Sequence, residues 1–325
     1  MRYSCLLKKP VMGRPNSRRS EVAKGAGLPA YTTRWGRAYH GDALDILRLQ
    51  PADSAALVLT SPPFALRRQK AYGNVPPAAY VDWFLPFAEE IHRVLRPDGS
   101  FVFDLGGAWN RGSGTRSLYP YQLVLRLTKI FFLAQEFYWY NPSKLPTPAE
   151  WVTIRRTRVK DAVTTLWWLS KTESPQADNR RVLRPYSRSM QRLLKDGYKV
   201  ARRPSQHDIS PHFQRDNGGA IPPNLLSIPN TRSSDDYFRR CRAAGLPIHP
   251  ARFPPGVPEF FIRFLTLPGD LVIDPFAGSN VTGHVAEALE RRWASIEIDA
   301  DYVAGSQLRF PDAVISRVRY GSSAS

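Results

Sequence analysis

The sequence predicts an α/β fold, a mixed β-sheet with helices on both faces. Short apolar runs of strand length alternate with stretches of helical period, in the order that builds β-α-β units. The alternation occurs twice, on either side of a polar, Arg-rich region that begins after Lys171 and ends near Leu246. With 325 residues, 42% of them hydrophobic and 12% aromatic, the chain can bury a large core, which excludes disorder throughout.

Residues 37–42 lead into a short helix over 43–49, and 55–60 form an apolar strand that ends at Ser61-Pro62-Pro63-Phe64. The stripe Trp83, Phe84, Phe87, Ile91 and Leu95 marks an amphipathic helix over 80–95. Arg96-Pro97-Asp98-Gly99 reads as a turn before a strand at 100–104. Gly-rich residues 106–114, a helix over 121–130 and strands at 136–140 and 163–169 follow. Beyond the Arg-rich region come a helix (258–267), a strand (270–274), a helix (281–291) and a strand (293–297). These elements suggest a basic arm (1–30), a first half (31–175), a basic region packing lightly on the sheet (176–246), a second half (247–312) and a tail (313–325).

Charge bounds the function. The net charge is +18 and the pI about 10.2, which argues against an acidic enzyme of small metabolism. Residues 180–252 carry 15 basic and 5 acidic side chains, whereas 253–325 carry 6 and 9. A basic surface concentrated in one stretch points to a phosphate backbone as partner. Two isolated cysteines, Cys5 and Cys241, make neither a disulfide framework nor a four-ligand zinc site, and no His-Glu-x-x-His motif exists, so no metal is expected. With no apolar run of 18 residues and no signal-peptide core, the chain reads as soluble and cytoplasmic.

Two constellations carry chemistry. In Asp274-Pro275-Phe276-Ala277-Gly278-Ser279-Asn280, a buried strand runs into a Gly-containing turn and a helix, a place where a cofactor can approach backbone amides. Glu297 stands 19 residues after Gly278 at the end of the next strand, placed to accept hydrogen bonds from a ribose. The turn lacks the three spaced glycines of a pyrophosphate site, which favours an adenosine cofactor without phosphates, such as S-adenosylmethionine. In the second constellation, Pro62 and Pro63 stiffen the chain at a strand end, so the Ser61 hydroxyl and Pro62 carbonyl can hold an exocyclic amine, with Phe64 offering a ring face to the base. Neither cysteine follows a proline at a strand end, so neither has the setting of a thiolate nucleophile.

Thr60–Phe64, then Phe253 to Phe264, then 274–280 resemble the amino-methyltransferases of DNA, in the permuted order that places the catalytic motif before the cofactor motif. Further stretches at 65–74, 138–146, 216–226 and 249–254 look like the cytosine-N4 branch, and the resemblance covers about 37–310. It departs in the basic arm, in the loop at 274–278 and in the short C-terminus. It implies a Rossmann-like, circularly permuted S-adenosylmethionine-dependent methyltransferase with a small target-recognition region. By the same resemblance Ser61, Pro62, Pro63 and Phe64 serve the target base. Asp42, Phe253, Asp274, Phe276, Gly278, Ser279, Asn280 and Glu297 hold the cofactor, and Tyr138 or Trp139 stacks on the flipped base. Arg203, Gln206, His207 and Asp208 are candidates for base-edge contacts. Double-stranded DNA is the implied partner, CAGCTG the implied site and a restriction endonuclease an implied companion. Adenine-N6 methylation is the alternative chemistry, though Ser61 favours cytosine, and a non-catalytic DNA-binding protein is the alternative class.

Overall fold

The computed structural model describes residues 27–65, 75–110, 112–197, 215–230 and 236–315. Their strands, in chain order, are β1 (Tyr31–Thr32), β2 (Gly36–His40), β3 (Ala55–Thr60), β4 (Leu95–Asp104), β5 (Phe132–Tyr140), β6 (Val163–Ser170), β7 (Leu225–Ser227), β8 (Leu271–Asp274), β9 (Arg292–Glu297) and β10 (Val314–Ile315). The helices are α1 (Ala43–Leu49), α2 (Tyr80–Val94), α3 (Tyr119–Leu127), α4 (Arg188–Asp196), α5 (Asp236–Ala243), α6 (Gly256–Leu265), α7 (Val281–Ala288) and α8 (Ala300–Gln307).

The strands form one mixed sheet in the order β10-β1-β2-β9-β8-β3-β4-β6-β5-β7. From β2 to β4 the five central strands are parallel, and β6 turns antiparallel between β4 and β5. Alternation along the strands divides the core. Val58, Phe101 and Phe103 face a cluster with Ile46, Leu47, Phe84, Ile91 and Leu123 of α1, α2 and α3. Leu57, Leu59 and Val102 face a cluster with Phe261, Ile262, Val285 and Val303 of α6, α7 and α8. Three helices therefore cover each face of the sheet. Every residue of β3 is buried, which is why that strand reads as an unbroken apolar run. Each fully buried Phe, Leu or Ile contributes about 1.5–3 kcal/mol of transfer free energy.

Three differences from expectation have physical causes. Residues 96–99, expected as a turn, lie within β4, whose pairing with β3 shifts register between Ala55 and Leu57. The extra residues are taken up there as an irregularity in the ladder. Strand β2 was not anticipated, since exposed Arg37 and His40 interrupt its apolar pattern. The basic region is also more than an appendage: β7 extends the sheet beside β5, and Cys241 of α5 packs against Gly305 of α8. No helix among the described residues is long and apolar enough to cross a membrane.

Candidate active site

The sheet reverses its direction of winding between β3 and β8: β3 continues to β4 on one side, and β8 continues to β9 on the other. Helices diverge at such a point and leave a crevice beyond the carboxyl ends of the strands. A cavity of about 590 Å³ opens there. Its floor is tied together by Thr60 at the end of β3, whose hydroxyl donates to Asp274 Oδ1 at the end of β8 over 2.6 Å.

On the β3 side, Ser61, Pro62, Pro63 and Phe64 all line the cavity. The Tyr80 hydroxyl of α2 donates to the Pro63 carbonyl at 2.8 Å, pinning the turn from behind. Phe64 packs against Gly106, where a Cβ would stand 2.5 Å from the ring, so only glycine allows this approach. Asp104 ends β4, next to β3, and is buried at the cavity wall. Burial pushes its carboxyl up to about 7, against the hydrogen bond from Ser61, which favours the ionised form. Asp104 Oδ1 has no hydrogen-bond partner among the described residues. Trp139 and Lys144 close this flank.

On the β8 side, Asp274 is buried and its carboxyl is raised to about 6 by desolvation, with the Thr60 hydroxyl opposing the shift. Phe276 turns back onto α2, 5.2 Å from the Phe87 ring and 6.1 Å from that of Trp83, making an aromatic wall. Gly278 has φ +52°, and a Cβ there would meet the His249 ring at 2.9–3.1 Å. Its amide donates to Glu297 Oε2 at 2.8 Å, while Asp299 N–H donates to Oε1 at 2.9 Å. Burial raises the Glu297 carboxyl above its ordinary value. Asp42, exposed at the N-cap of α1, accepts from Leu44 N–H at 2.8 Å and presents its carboxylate to the cavity. Phe253 meets Trp139 edge-on at 6.3 Å, joining the two flanks.

Most of the sequence-derived candidates therefore share one cavity, and two do not line it. Asn280 is 1% exposed, and its side chain is spent inside the fold: Nδ2 donates to the Tyr31 hydroxyl, and Oδ1 accepts from Gly283 N–H and the Ser295 hydroxyl. It is a left-handed N-cap of α7 rather than part of the cavity wall. Tyr138 also stays off the wall, because neighbouring residues of a strand point to opposite faces and Trp139 takes the inner one. Arg203, Gln206, His207 and Asp208 lie outside the described residues. The sequence reading gave no role to Asp104, Thr60, Lys144, His249 or Arg309. Arg309 donates to the Ser279 carbonyl at 2.6 Å and its hydroxyl at 3.2 Å, holding the turn from outside. A signal for Asp104 existed in its place at a strand end, but its neighbour in space is set by strand pairing.

A family model for DNA methylases of the N6/N4 methyltransferase type matches residues 55–308. The chain belongs to this family. It is 54% identical over 293 residues to the type II methyltransferase M.PvuII of Proteus hauseri, covering 89% of this chain and 87% of that one. The solved structure of PvuII DNA methyltransferase (cytosine-N4-specific) superposes with a TM-score of 0.72 and 48% identity, covering 88% of this chain and 90% of that chain. The DNA adenine methyltransferase YhdJ of Escherichia coli K12 is 27% identical over 272 residues, covering 81% of this chain and 79% of that one. The span of the methylase family model takes in both flanks of the cavity from Ala55 onward and leaves out Asp42.

Proposed function

We propose that the chain is a DNA methyltransferase that transfers a methyl group from S-adenosylmethionine to the exocyclic N4 amine of a cytosine extruded from duplex DNA. One observation carries this reading: the Ser61–Phe64 turn and the arc from Asp274 to Glu297 face each other across one cavity. Similarity to the cytosine-N4-specific PvuII enzyme supports the choice of base.

The cavity suits the cofactor. The Glu297 carboxylate oxygens each keep a lone pair beyond the backbone amide they accept, fit for two ribose hydroxyls. Phe276, Trp83 and Phe87 form an apolar wall for the adenine, with exposed Asp42 at its rim. Ser279 and Gly278 offer a backbone cradle for the methionine end. When bound, S-adenosylmethionine supplies an electrophilic methyl on a sulfonium. The residues of the chain do the rest by orientation. Ser61 donates a hydrogen bond to ionised Asp104, and this turns the Ser61 oxygen lone pairs toward the amine. Together with the Pro62 carbonyl it accepts the two N–H bonds, drawing the nitrogen lone pair out of conjugation with the ring. As the new N–C bond forms and the methyl–sulfur bond breaks to leave a neutral thioether, one amine proton would pass to Ser61 Oγ while the Ser61 proton passes to the Asp104 carboxylate that accepts from it. Phe64 and Trp139 give the base its ring contacts.

Reaching the amine requires the base to leave the helix, and the basic residues between 176 and 246 are suited to grip the backbone. We infer a modification role at CAGCTG with a companion restriction endonuclease. The test is nucleoside mass spectrometry of duplex DNA incubated with labelled cofactor. The reading requires 4-methylcytosine in wild type and a loss of at least about 100-fold in Ser61→Ala with DNA binding kept. Detection of 6-methyladenine or 5-methylcytosine instead overturns it.

A further inference from the structure

The connection between β5 and β6 carries a feature that the reaction as described does not use. Residues 141–162 hold five cations, Lys144, Arg155, Arg156, Arg158 and Lys160, against two acids, Glu150 and Asp161. Glu150 pairs with Arg155, and Asp161 pairs with Arg116. At its start lies a stiff turn. Asn141 Oδ1 accepts from Ser143 N–H at 3.1 Å and from Asn230 N–H at 3.2 Å, and Lys144 N–H donates to the Asn141 carbonyl at 3.1 Å. Lys160 Nζ reaches the Lys144 carbonyl at 3.2 Å, and Pro142 and Pro146 restrict the backbone between these anchors.

On this mount, directly after the cavity-lining Lys144, stands Leu145 with 76% of its surface exposed. A single exposed leucine is ordinary on a protein surface. Here it sits on a rigid turn, next in the chain to a cation that lines the cavity proposed to receive an extruded base. Such a base leaves a gap in the stack, and apolar side chains are inserted between bases by proteins that deform duplex DNA. The adjacent Lys144 suits a phosphate beside that gap, whereas Arg155 is paired with Glu150 and Arg158 lies over the Trp109 ring. We propose that Leu145 is the wedge that enters the duplex and fills the space vacated by the target nucleotide. The inference rests on the methyltransferase reading above.

Single-turnover methylation separates the two claims. Two duplexes are compared, one fully paired and one with an abasic site opposite the target cytosine, where no base pair has to be broken and extrusion costs less. Leu145→Ala is expected to slow methyl transfer to the paired duplex by about 10-fold or more and to the abasic duplex by less than about 3-fold. Leu145→Met should restore the paired rate. A 2-aminopurine at the target position should brighten on binding wild type and less so on binding Leu145→Ala. Equal slowing on both duplexes, or no slowing on either, overturns the wedge. A wild-type protein that methylates neither duplex instead overturns the parent reading.

Discussion

The Thr60 hydroxyl and Asp274 Oδ1 meet at 2.6 Å across the point where the sheet reverses its winding. This bond joins the strand that carries the Ser61–Phe64 turn to the strand that carries the Asp274–Asn280 turn, and it is buried. Asp274 is raised to about 6 by burial, and Thr60 favours its ionised form. Thr60→Val keeps the shape and removes the donor, so the Asp274 carboxyl should rise further. A group raised in the fold contributes stability at low pH that is lost as pH rises through the folded value. The variant should therefore match wild type closely at pH 4 and fall behind it above pH 6. The gap should reach about 1.5–3 kcal/mol, the range for a hydrogen bond to a charged group. Urea unfolding across pH checks this, and a gap that does not change with pH would falsify the coupling.

Asp104 gives the second pH dependence. Its folded value of about 7 lies above the ordinary carboxylate value, so it is neutral below pH 7 and ionised above. Two opposite consequences follow for Asp104→Asn. Stability of wild type is lost as pH rises through about 7, and the always-neutral amide escapes that loss, so the variant should be the more stable protein at pH 9, by up to several kcal/mol. Activity runs the other way. The ionised carboxylate is the form that accepts from Ser61, so kcat/KM of wild type should climb with an inflection near 7, while the variant stays low and flat. Rate profiles paired with thermal melts read both signs at once.

Much of this was legible because of burial. Strands β3 and β8 are covered on both faces, so they announce themselves as continuous apolar runs, and the residues just past them, Ser61 and Pro275, mark the crevice. What escaped depends on neighbours distant in sequence. Thr60 lies opposite Phe103 in the ladder, and this register alone brings Asp104 beside Ser61. Tyr138 and Trp139 are both aromatic strand residues, and only the twist and pairing of β5 decide which one faces the cavity. Asn280 sits in the motif but turns inward because a left-handed N-cap and two buried hydroxyls claim its amide. Arg309 follows α8 and reaches Ser279 through tertiary packing, which no local pattern announces.

Glu297 allows the cofactor site to be tested apart from the chemistry. Its two oxygens hold the amides of Gly278 and Asp299, so the carboxylate shapes the turn, and in the proposed reading its remaining lone pairs serve a ribose. In Glu297→Gln, an NH₂ replaces one acceptor and must face either a backbone N–H or a ribose hydroxyl. Affinity for S-adenosylmethionine should fall about 10- to 100-fold, the equivalent of losing one charge-assisted hydrogen bond. Asp42→Ala should cost less, because Asp42 is exposed and its backbone contacts serve chiefly to cap α1. Calorimetric titration with S-adenosylmethionine and with S-adenosylhomocysteine should show the same loss for both, since the ribose is common to them. A loss confined to S-adenosylmethionine would assign Glu297 to the sulfonium instead, and unchanged affinity for both would remove it from the cofactor site.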